Sequence, residues 1–464
     1  MFICMHVSAQ ESESSRTENE LDSGLQAPIG SSMLQPIADP WAPNAESEIF
    51  ALPNGSVPTA DGIWLSNLEV GYDDGFIIAS QVANEVDTED WPFSLLLNGW
   101  GQIRETYFDS ENSNPNSNQF QLKRARLIFS GSAYSSDFKY FFQLDGRSSS
   151  GDDMRLLDYF LTYDIGHHAW GLERGTFEFR TGKYKMPFSM ARYLSGREFE
   201  FTDRSMASMF FDVNRSLAWG LYGRYPRFRV PLNWEVAIFN GLVTGGSETG
   251  SSGSLDDNFA YSARISWYPT GEWGESEMAD FTCHRNLASR VGAAVATSSI
   301  NRMGSSEFNT VLVADSGETL ASILPRRVFE YTVGLLSMDA SFKYRGWSYN
   351  SELYFRWIDD FKGAQIDDLF DYGYWFQLGK FVIPEKLQLT ARLSRIIGTS
   401  GTLGADHQSS SEYALGLAWY FRKQNAKLVF DATHLDGAAI DSSSLGINPG
   451  DTGWLARTQI QFAF

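Results

Sequence analysis

The sequence predicts an all-β fold, a transmembrane antiparallel β-barrel of sixteen strands. Three observations lead to this prediction. Apolar and polar residues alternate over long segments, these segments exceed the length of ordinary strands, and tryptophan and tyrosine gather near their ends. No run of about eighteen apolar residues occurs in the chain, so the sequence predicts no transmembrane helix.

The alternation is clearest in the last segment of the chain. Trp454, Ile460 and Phe462 fall on one face of an extended strand, while Arg457 and Gln459 fall on the other. The same pattern recurs in residues 257–268, 346–359 and 410–422. A soluble β-sandwich shows this period too, with its apolar face against a core. The length and number of the strands must therefore distinguish a membrane barrel from a soluble sandwich.

Sixteen segments have strand character, and an even number is typical of bacterial outer-membrane barrels. Most of them exceed the roughly 5 to 6 residues of a globular strand and suit a tilted membrane crossing, which needs about 9 to 11. The segments are 93–108, 118–131, 137–146, 154–165, 175–186, 214–225, 231–241, 257–268, 287–298, 328–344, 346–359, 370–383, 386–398, 410–422, 425–436 and 453–464.

The connections between these segments differ in length. Residues 344–347, 383–385 and 422–425 are tight turns, whereas 241–257 and 299–327 are long and polar. Short turns on the periplasmic side and long loops on the outer side are the asymmetry expected of an outer-membrane barrel. The sequence therefore favours a membrane barrel over a soluble sandwich.

The net charge of −20 comes from 57 acidic and 37 basic residues and is unevenly distributed. Residues 10–92 hold sixteen of the acidic residues and one of the basic ones, which leaves 41 and 36 for residues 93–464. The acidity therefore belongs mostly to the N-terminal part. A chain of this charge is not expected to bind nucleic acid, which requires a basic surface.

The N-terminal part does not resemble the rest of the chain. Residues 1–9 are short, apolar and end in a small-x-small pattern, which predicts the remnant of a signal peptide; an ordinary N-terminus is the alternative. Residues 10–60 are polar, without a strand or helix period, and are expected to be disordered. Residues 61–92 are predicted as a periplasmic lead-in, and residues 93–464 as the barrel.

Several runs resemble the phosphate-selective porin O and P family. The runs are FQLKRARLIFSGSA (120–133), YFFQLD (140–145), LLDYFLTYDIG (156–166), FRTGKYKMPFSM (179–190), FTDRSMASMF (201–210), RSLAWGLYG (215–223), YSARISWYPTG (261–271) and YALGLAWYF (413–421). The terminal Phe464 resembles the aromatic residue that ends many outer-membrane barrels. The resemblance covers residues 75–464 and implies a bacterial outer-membrane barrel, commonly trimeric, that passes small anions or other solutes.

Strand parity predicts which basic residues line a pore. In the second segment Ala125 and Leu127 are expected to face lipid, which directs Arg124 and Arg126 to the lumen. The same reasoning directs Arg180 inward in the fifth segment. Rings of lysine and arginine favour anions in a pore.

A predicted connection, residues 187–213, is too long for a turn, and the family resemblance implies that it folds into the lumen as a constriction. Further candidate pore residues lie in or beside it: Lys183, Lys185, Arg192, Arg197, Arg204 and Arg215. Two hypotheses stay open for them. They coordinate anions, or they form salt bridges with nearby acidic residues that pin the loop to the wall.

The predicted function is that of an outer-membrane porin, a water-filled channel for small hydrophilic solutes, with phosphate among the candidate anions. One alternative is a general porin with no selectivity or a weak preference for cations, and another is a non-conducting structural or adhesive barrel. Polar inward positions favour a wet lumen: Arg264, Glu352, Arg356, Arg392 and Lys427.

No catalytic site, metal site or cofactor is predicted. His434 is the sole histidine in a predicted strand that could serve a hydrolase, and Cys4 and Cys283 form no zinc-spaced cluster. The expected partners are small inorganic ions or anionic solutes, outer-membrane lipid, and further copies of the chain in a homotrimer.

Overall fold

The structure is a computed structural model, and it describes most of the chain from residue 93 onward. The described residues are 68–72, 75–80, 93–111, 116–147, 153–225, 231–242, 255–271, 273–314, 319–398, 409–439, 447 and 450–464. The predicted signal remnant and the predicted disordered segment lie outside them.

Sixteen antiparallel strands form a closed barrel, because each pairs with the next and the last pairs with the first. Two short strands, β1 (Leu68–Tyr72) and β2 (Phe76–Ser80), precede them. The barrel strands are β3 (Ser94–Ser110), β4 (Ser117–Ala133), β5 (Ser135–Arg147), β6 (Asp153–Tyr163), β7 (Glu178–Lys185), β8 (Arg215–Tyr225), β9 (Leu232–Asn240), β10 (Phe259–Trp267), β11 (Ala288–Asn301), β12 (Glu330–Tyr344), β13 (Trp347–Lys362), β14 (Leu369–Ile383), β15 (Leu387–Gly398), β16 (Ser409–Arg422), β17 (Ala426–Asp436) and β18 (Gly453–Ala463). Each predicted segment overlaps one of them, so the predicted fold class is confirmed.

The two faces of the wall differ as the alternation predicts. In β18 the side chains of Trp454, Ile460 and Phe462 are exposed on the outside, whereas Arg457 and Gln459 are buried on the inside. The apolar face therefore points outward, toward lipid, and the polar face encloses the lumen.

The wall is uneven in height. Strands β3 and β4 have 17 residues each, whereas β7 has 8 and β9 and β10 have 9 each. β7 ends at Lys185 because the chain there turns into the lumen. The barrel is consequently shortest around β7 to β10.

The hairpin of β1 and β2 continues the wall beyond the C-terminus. β2 pairs with the first residues of β3, and β18 pairs with β3 from Trp100 onward. The terminal Phe464 exchanges backbone hydrogen bonds with Gly99, and its ring centroid lies 6.4 Å from that of Phe76. The closing strand and the hairpin thus share one edge of β3.

The predicted difference between short turns and long loops holds with one clear exception. Tight turns join β4 to β5, β12 to β13, β14 to β15 and β16 to β17. At the same end of the barrel, however, residues 268–287 form a long connection between β10 and β11. A smaller connection there contains the helix α1 (Ile165–Trp170).

The other helices are short and lie in loops: α2 (Met190–Tyr193), α3 (Met206–Phe211), α4 (Ser305–Phe308) and α5 (Leu320–Ile323). Among the described residues, no helix is long and apolar enough to cross a membrane.

Candidate pore constriction

Two segments enter the lumen from opposite ends. The constriction loop, residues 186–214, joins β7 to β8, and the periplasmic segment, residues 268–287, joins β10 to β11. The loop corresponds to the constriction that the family resemblance implies. The sequence does not predict that the periplasmic segment enters the lumen.

The constriction loop is divided by short helices with serine caps. The side chain of Ser189 accepts a hydrogen bond from the backbone N–H of Arg192 at the start of α2, and Ser205 accepts one from Ser208 at the start of α3. The remaining N–H groups at these helix starts need acceptors from elsewhere, since few of them have partners within so short a helix.

Acidic residues of the inner wall supply those acceptors. The Glu352 carboxylate on β13 accepts from the backbone N–H groups of Met190 and Ala191, at 2.8 and 3.1 Å. The Glu412 carboxylate on β16 accepts from Met206 N–H at 2.6 Å. A carboxylate at a helix N-terminus also interacts favourably with the helix dipole.

Basic residues hold the carbonyl groups of the same loop. Lys185 donates to the carbonyls of Tyr193 and Leu194, at 2.9 Å each. Lys427 on β17 donates to those of Arg197 and Phe199, at 2.7 Å each. Irregular backbone enclosed by a barrel needs such partners, and these lysines provide them.

Other basic residues form buried ion pairs. Arg192 pairs with Asp212 at 2.5 Å, and Arg215 pairs with Asp158 at 2.7 Å. The guanidinium of Arg204 instead donates to backbone carbonyls of the loop, including that of Ala191 at 2.9 Å.

Two predicted residues on the wall are also engaged. Arg126 pairs with Asp145 at 3.2 Å. The guanidinium of Arg180 lies over the rings of Phe160 and Tyr222, at 4.6 and 4.2 Å from their centroids.

Asp203 lies beside three basic side chains. Its carboxylate lies 2.9 Å from Arg104, 3.2 Å from Lys123 and 3.4 Å from Arg124. Burial alone would raise the pKa of Asp203, but the charges of Lys123, Arg104 and Arg124 hold that pKa well below its ordinary value. Three cations thus face one carboxylate.

Glu200, three residues earlier, has the opposite electrostatics. Burial raises the pKa of its carboxyl, because its closest partners are the neutral donors Ser348, Gln377 and Gln388. One loop therefore carries one carboxyl whose pKa is lowered and another whose pKa is raised.

The inward polar residues that predicted a wet lumen all anchor the fold. Arg264, Arg356 and Arg392 form ion pairs of 2.6 Å with Asp339, Asp371 and Glu412. Glu352 and Lys427 hold the backbone of the constriction loop. Polarity of the inner face therefore reports anchoring as well as contact with water.

Of the nine predicted pore residues, Arg124, Arg126, Arg180, Lys185, Arg192, Arg204 and Arg215 are buried among protein partners. Arg197 keeps 28% of its side chain exposed, with its Nε 4.0 Å from Glu198. Among the nine, Arg124, Arg126, Arg192 and Arg215 form ion pairs, whereas Lys185 and Arg204 bind backbone carbonyls.

Lys183 is placed differently from the prediction. Its register partners are Tyr159 on β6 and Leu217 on β8, whose side chains are 41% and 52% exposed on the outer surface. Directly paired residues in a sheet share a face, so Lys183 belongs to the outer wall and does not line the lumen.

Sequence reasoning missed Arg104 and the role of Lys123. Lys123 sits at a bulge between the paired residues Leu122 and Arg124, so strand parity does not apply to it. Its side chain is 32% exposed, more than that of any other cation around Asp203.

The periplasmic segment is held around one tryptophan. Lys343 donates to the backbone carbonyls of Trp273 and Ser276, and its Nζ lies 4.2 Å from the centre of the Trp273 ring. Arg290 covers the same ring at 4.7 Å and pairs with Glu277. These contacts fold the segment into the barrel end.

The constriction loop and the periplasmic segment touch at Glu198. Its carboxylate accepts hydrogen bonds from the Ser276 hydroxyl at 3.0 Å and from the backbone N–H of Glu277 at 3.3 Å. The lumen is therefore narrowed by two segments in mutual contact.

The cysteine and histidine of the periplasmic segment form a turn. The ring of His284 lies 2.5 Å from Asp280, whose carboxylate also accepts from Gly346 N–H at 2.7 Å. Within the described residues, no group of three or more potential metal ligands occurs.

A closed sixteen-strand barrel with a polar interior and an in-folded loop defines an outer-membrane porin, a water-filled channel for small hydrophilic solutes in the bacterial outer membrane. Residues 101–464 match the family described as phosphate-selective porin O and P, and the chain belongs to that family.

Solved structures of outer-membrane porins are similar to the chain. The anion-selective porin of Comamonas acidovorans is similar with a TM-score of 0.52 and 10% identity, over 80% of this chain and 100% of that one. The outer-membrane channel DcaP of Acinetobacter baumannii is similar with a TM-score of 0.49 and 12% identity, over 82% and 100%. No curated protein sequence matches the chain.

Proposed function

We propose that this porin prefers small anions, inorganic phosphate among them. The observation that carries the proposal is the cluster around Asp203, where Arg104, Lys123 and Arg124 together outnumber the carboxylate. The partly exposed Lys123 is the member that a passing anion can approach. Excess positive charge in a pore attracts anions and repels cations.

A general porin with a weak preference for cations is the second candidate. Glu198 and Glu277 meet where the two lumen segments touch, and their side chains are 13% and 16% exposed. Carboxylates at that position would favour cations. The sign of the selectivity follows from whichever group lies closer to the ion path.

Conductance in a planar bilayer separates these candidates. Under a potassium chloride gradient, an anion-preferring channel gives a reversal potential with the sign of the chloride equilibrium potential. Added phosphate is then expected to reduce the chloride current. Current without this preference would contradict the anion proposal, and a reversal potential set by potassium would support the second candidate. Absence of any current would support the non-conducting alternative.

A matched pair of variants tests the role of Lys123. Lys123→Gln is expected to lower the anion-to-cation permeability ratio roughly two- to fivefold, which corresponds to about 0.5–1 kcal/mol for a partly exposed charge. Lys380→Gln is the control, since Lys380 lies on β14 with its Nζ 5.1 Å from the outward Trp347 ring. An equal effect in both variants would contradict the assignment of Lys123.

We also propose that the channel works as a homotrimer and has no catalytic activity. The family resemblance supports the trimer. The absence of catalytic activity is supported by the contacts of the strand residue His434. Its Nε2 lies 3.3 Å from Glu111, and its ring contacts that of Trp454. The native mass of the detergent-extracted protein tests the trimer, and an assay with ester and peptide substrates tests for hydrolysis.

A further inference from the structure

The outer wall is concave over strands β10 to β14. One row of directly paired residues crosses this region: Trp267, Val291, Ala340, Ser351 and Phe376. The two aromatic residues at the ends of the row are exposed on the outer surface, and the side chains between them are smaller. The result is a groove of about 810 Å³. This volume lies within the range of roughly 300 to 1,000 Å³ that ligand pockets occupy.

The groove presents an apolar surface. Ala293 and Ala340 form part of its floor. Ser351 also lines it, but its hydroxyl donates to the backbone carbonyl of Ala340 at 3.0 Å. Asp339 borders the groove from the lumen side, where its carboxylate pairs with Arg264. A hydrocarbon chain therefore matches this surface better than a polar ligand does.

The groove lies in the periplasmic half of the wall. Ala340 precedes Tyr344, the last residue of β12, by four residues, and Ser351 follows Trp347, the first residue of β13, by four. At about 3.3 Å per residue, both lie roughly 13 Å along their strands from the periplasmic turn. The apolar band of an outer-membrane barrel is about 25 Å tall, so this depth is that of the periplasmic leaflet. A lipid chain in the groove would thus have its headgroup at the periplasmic rim.

Two exposed arginines lie at that rim. Arg345 occupies the turn between β12 and β13, and Arg285 follows His284 in the periplasmic segment. The backbone N–H of Arg345 donates to the carbonyl of His284 at 2.8 Å, which joins the turn to the segment. The guanidinium of Arg345 lies 5.0 Å from the centre of the Tyr344 ring, and Tyr344 shares the outward face of β12 with Ala340. The arginines therefore lie below the groove.

These arginines are available to an external anion. Within the described residues, neither Arg285 nor Arg345 forms an ion pair with a carboxylate. The acidic residue that joins the turn to the segment, Asp280, is buried and is engaged by His284 and by the backbone N–H of Gly346. Guanidinium groups bind phosphate oxygens in bidentate geometry. An apolar groove above two unpaired guanidinium groups has the chemistry of a phospholipid site.

We infer that this site binds one anionic glycerophospholipid of the periplasmic leaflet. An acyl chain lies along Ala340 and Ser351, and the phosphate lies at Arg285 and Arg345. The turn that contains His284 then has a role in the site, because it holds Arg285 beside the β12–β13 turn. The inference does not depend on which ions the channel prefers, since the site lies on the outer surface and the rim.

Native mass spectrometry of the delipidated protein in detergent tests the site. Phosphatidylglycerol is expected to bind at one site per copy, and the zwitterionic phosphatidylethanolamine roughly fivefold more weakly. Glycerol 3-phosphate, which has the phosphate but no acyl chain, is expected not to displace the bound lipid. Displacement by glycerol 3-phosphate at the same concentration as the lipid would assign the arginines to soluble phosphate and overturn the inference.

A change at the rim tests the headgroup position. Arg285→Gln/Arg345→Gln is expected to weaken phosphatidylglycerol binding roughly tenfold and to leave phosphatidylethanolamine binding nearly unchanged. Arg422→Gln is the matched control, because Arg422 is an exposed rim arginine at the end of β16, away from the groove. Wild-type binding in the double variant, or an equal loss in the control, would overturn the assigned headgroup position.

A change in the groove tests the acyl-chain position separately. Ala340→Phe fills the floor and is expected to weaken the binding of both lipids roughly fivefold, because less apolar surface remains for the chain. Ala432→Phe is the control, since Ala432 on β17 is paired with the outward Leu415 and lies outside the groove.

The substituted side chains lie on the outer surface or the rim, and the heat-modifiable migration of the barrel on gels checks that each variant folds. Wild-type lipid binding in Ala340→Phe would overturn the acyl-chain position. A change in native oligomeric mass without a change in lipid binding would instead assign the groove to a contact between copies. The ion selectivity of every variant is expected to match that of the wild type, so a failure of the proposed selectivity and a failure of the lipid site are distinguishable.

Discussion

The constriction loop and the periplasmic segment enter one lumen from opposite ends, and the wall holds them by partly different groups. The loop contains helix starts, so wall carboxylates such as Glu352 accept from its N–H groups. The described residues of the periplasmic segment form no helix, and the wall residues Lys343 and Arg290 bind its carbonyls and the ring of Trp273. Wall cations thus hold carbonyl groups in both segments, and wall carboxylates are added where the constriction loop presents the N–H groups of helix starts.

This difference changes how charges in a porin lumen should be interpreted. Lys185 and Lys427 satisfy carbonyl groups of irregular backbone, a need that exists whether or not the channel selects anions. Counting cations along the inner face therefore overestimates anion selectivity. We therefore propose that residues with remaining exposure, above all Lys123 and Arg197, are the ones that act on ions.

Removal of the Glu352 carboxylate should have the largest effect on the constriction loop. Glu352→Ala removes the carboxylate that accepts hydrogen bonds from the backbone N–H groups of Met190 and Ala191. These buried N–H groups are then left without that acceptor. We expect a loss of about 3–5 kcal/mol in the free energy of unfolding, with larger and noisier single-channel conductance as the loop detaches. Urea unfolding in detergent and bilayer recordings measure the two effects.

Glu330→Gln is the control for this prediction, because Glu330 lies at the rim, at the first residue of β12. If Glu352→Ala retained the wild-type conductance and stability, the carboxylate would not anchor the loop, and the contrast between the two segments would fail.

The sequence predicted the wall well because a strand in a barrel repeats a two-residue pattern, which needs no knowledge of distant residues. The site was predicted less well, since its pairings join residues far apart in the chain, such as Lys343 and Trp273. The case of Lys183 is different. The parity that turns Phe179 outward also turns Lys183 outward, so the sequence contains this signal, whereas the position of Lys183 beside the constriction loop suggests the lumen.

Arg204 and Arg197 should separate anchoring from selectivity within the constriction loop. Arg204→Ala removes the donor to the carbonyls of Ala191 and Leu194, at 2.9 and 3.2 Å, and should cost about 3 kcal/mol of stability. Arg197→Ala should change stability by about 0.5 kcal/mol or less and shift the reversal potential toward cations. Unfolding curves and salt-gradient recordings on both variants check this division. A selectivity shift confined to Arg204→Ala would contradict it.

The periplasmic segment should respond more weakly than the constriction loop. Lys343→Met removes the donor to the carbonyls of Trp273 and Ser276 while keeping a similar side-chain length. We expect a loss of about 1–3 kcal/mol and faster hydrogen exchange confined to residues 273–287. Lys380→Met, on the outer wall, is the control. Unchanged exchange in this segment would show that Lys343 is not its main anchor.

The contact at Glu198 should give a small effect, and it tests whether the two segments act together. Glu198→Ala and Ser276→Ala each remove one side of the 3.0 Å hydrogen bond. In a double-mutant cycle we expect a coupling energy of about 0.5–1.5 kcal/mol, since a single partly exposed hydrogen bond contributes no more. If coupling appears, hydrogen exchange in the periplasmic segment should also rise in Glu198→Ala, although the substitution lies in the other segment. A coupling energy of zero would mean that the two constrictions are independent and that the loop alone sets the conductance.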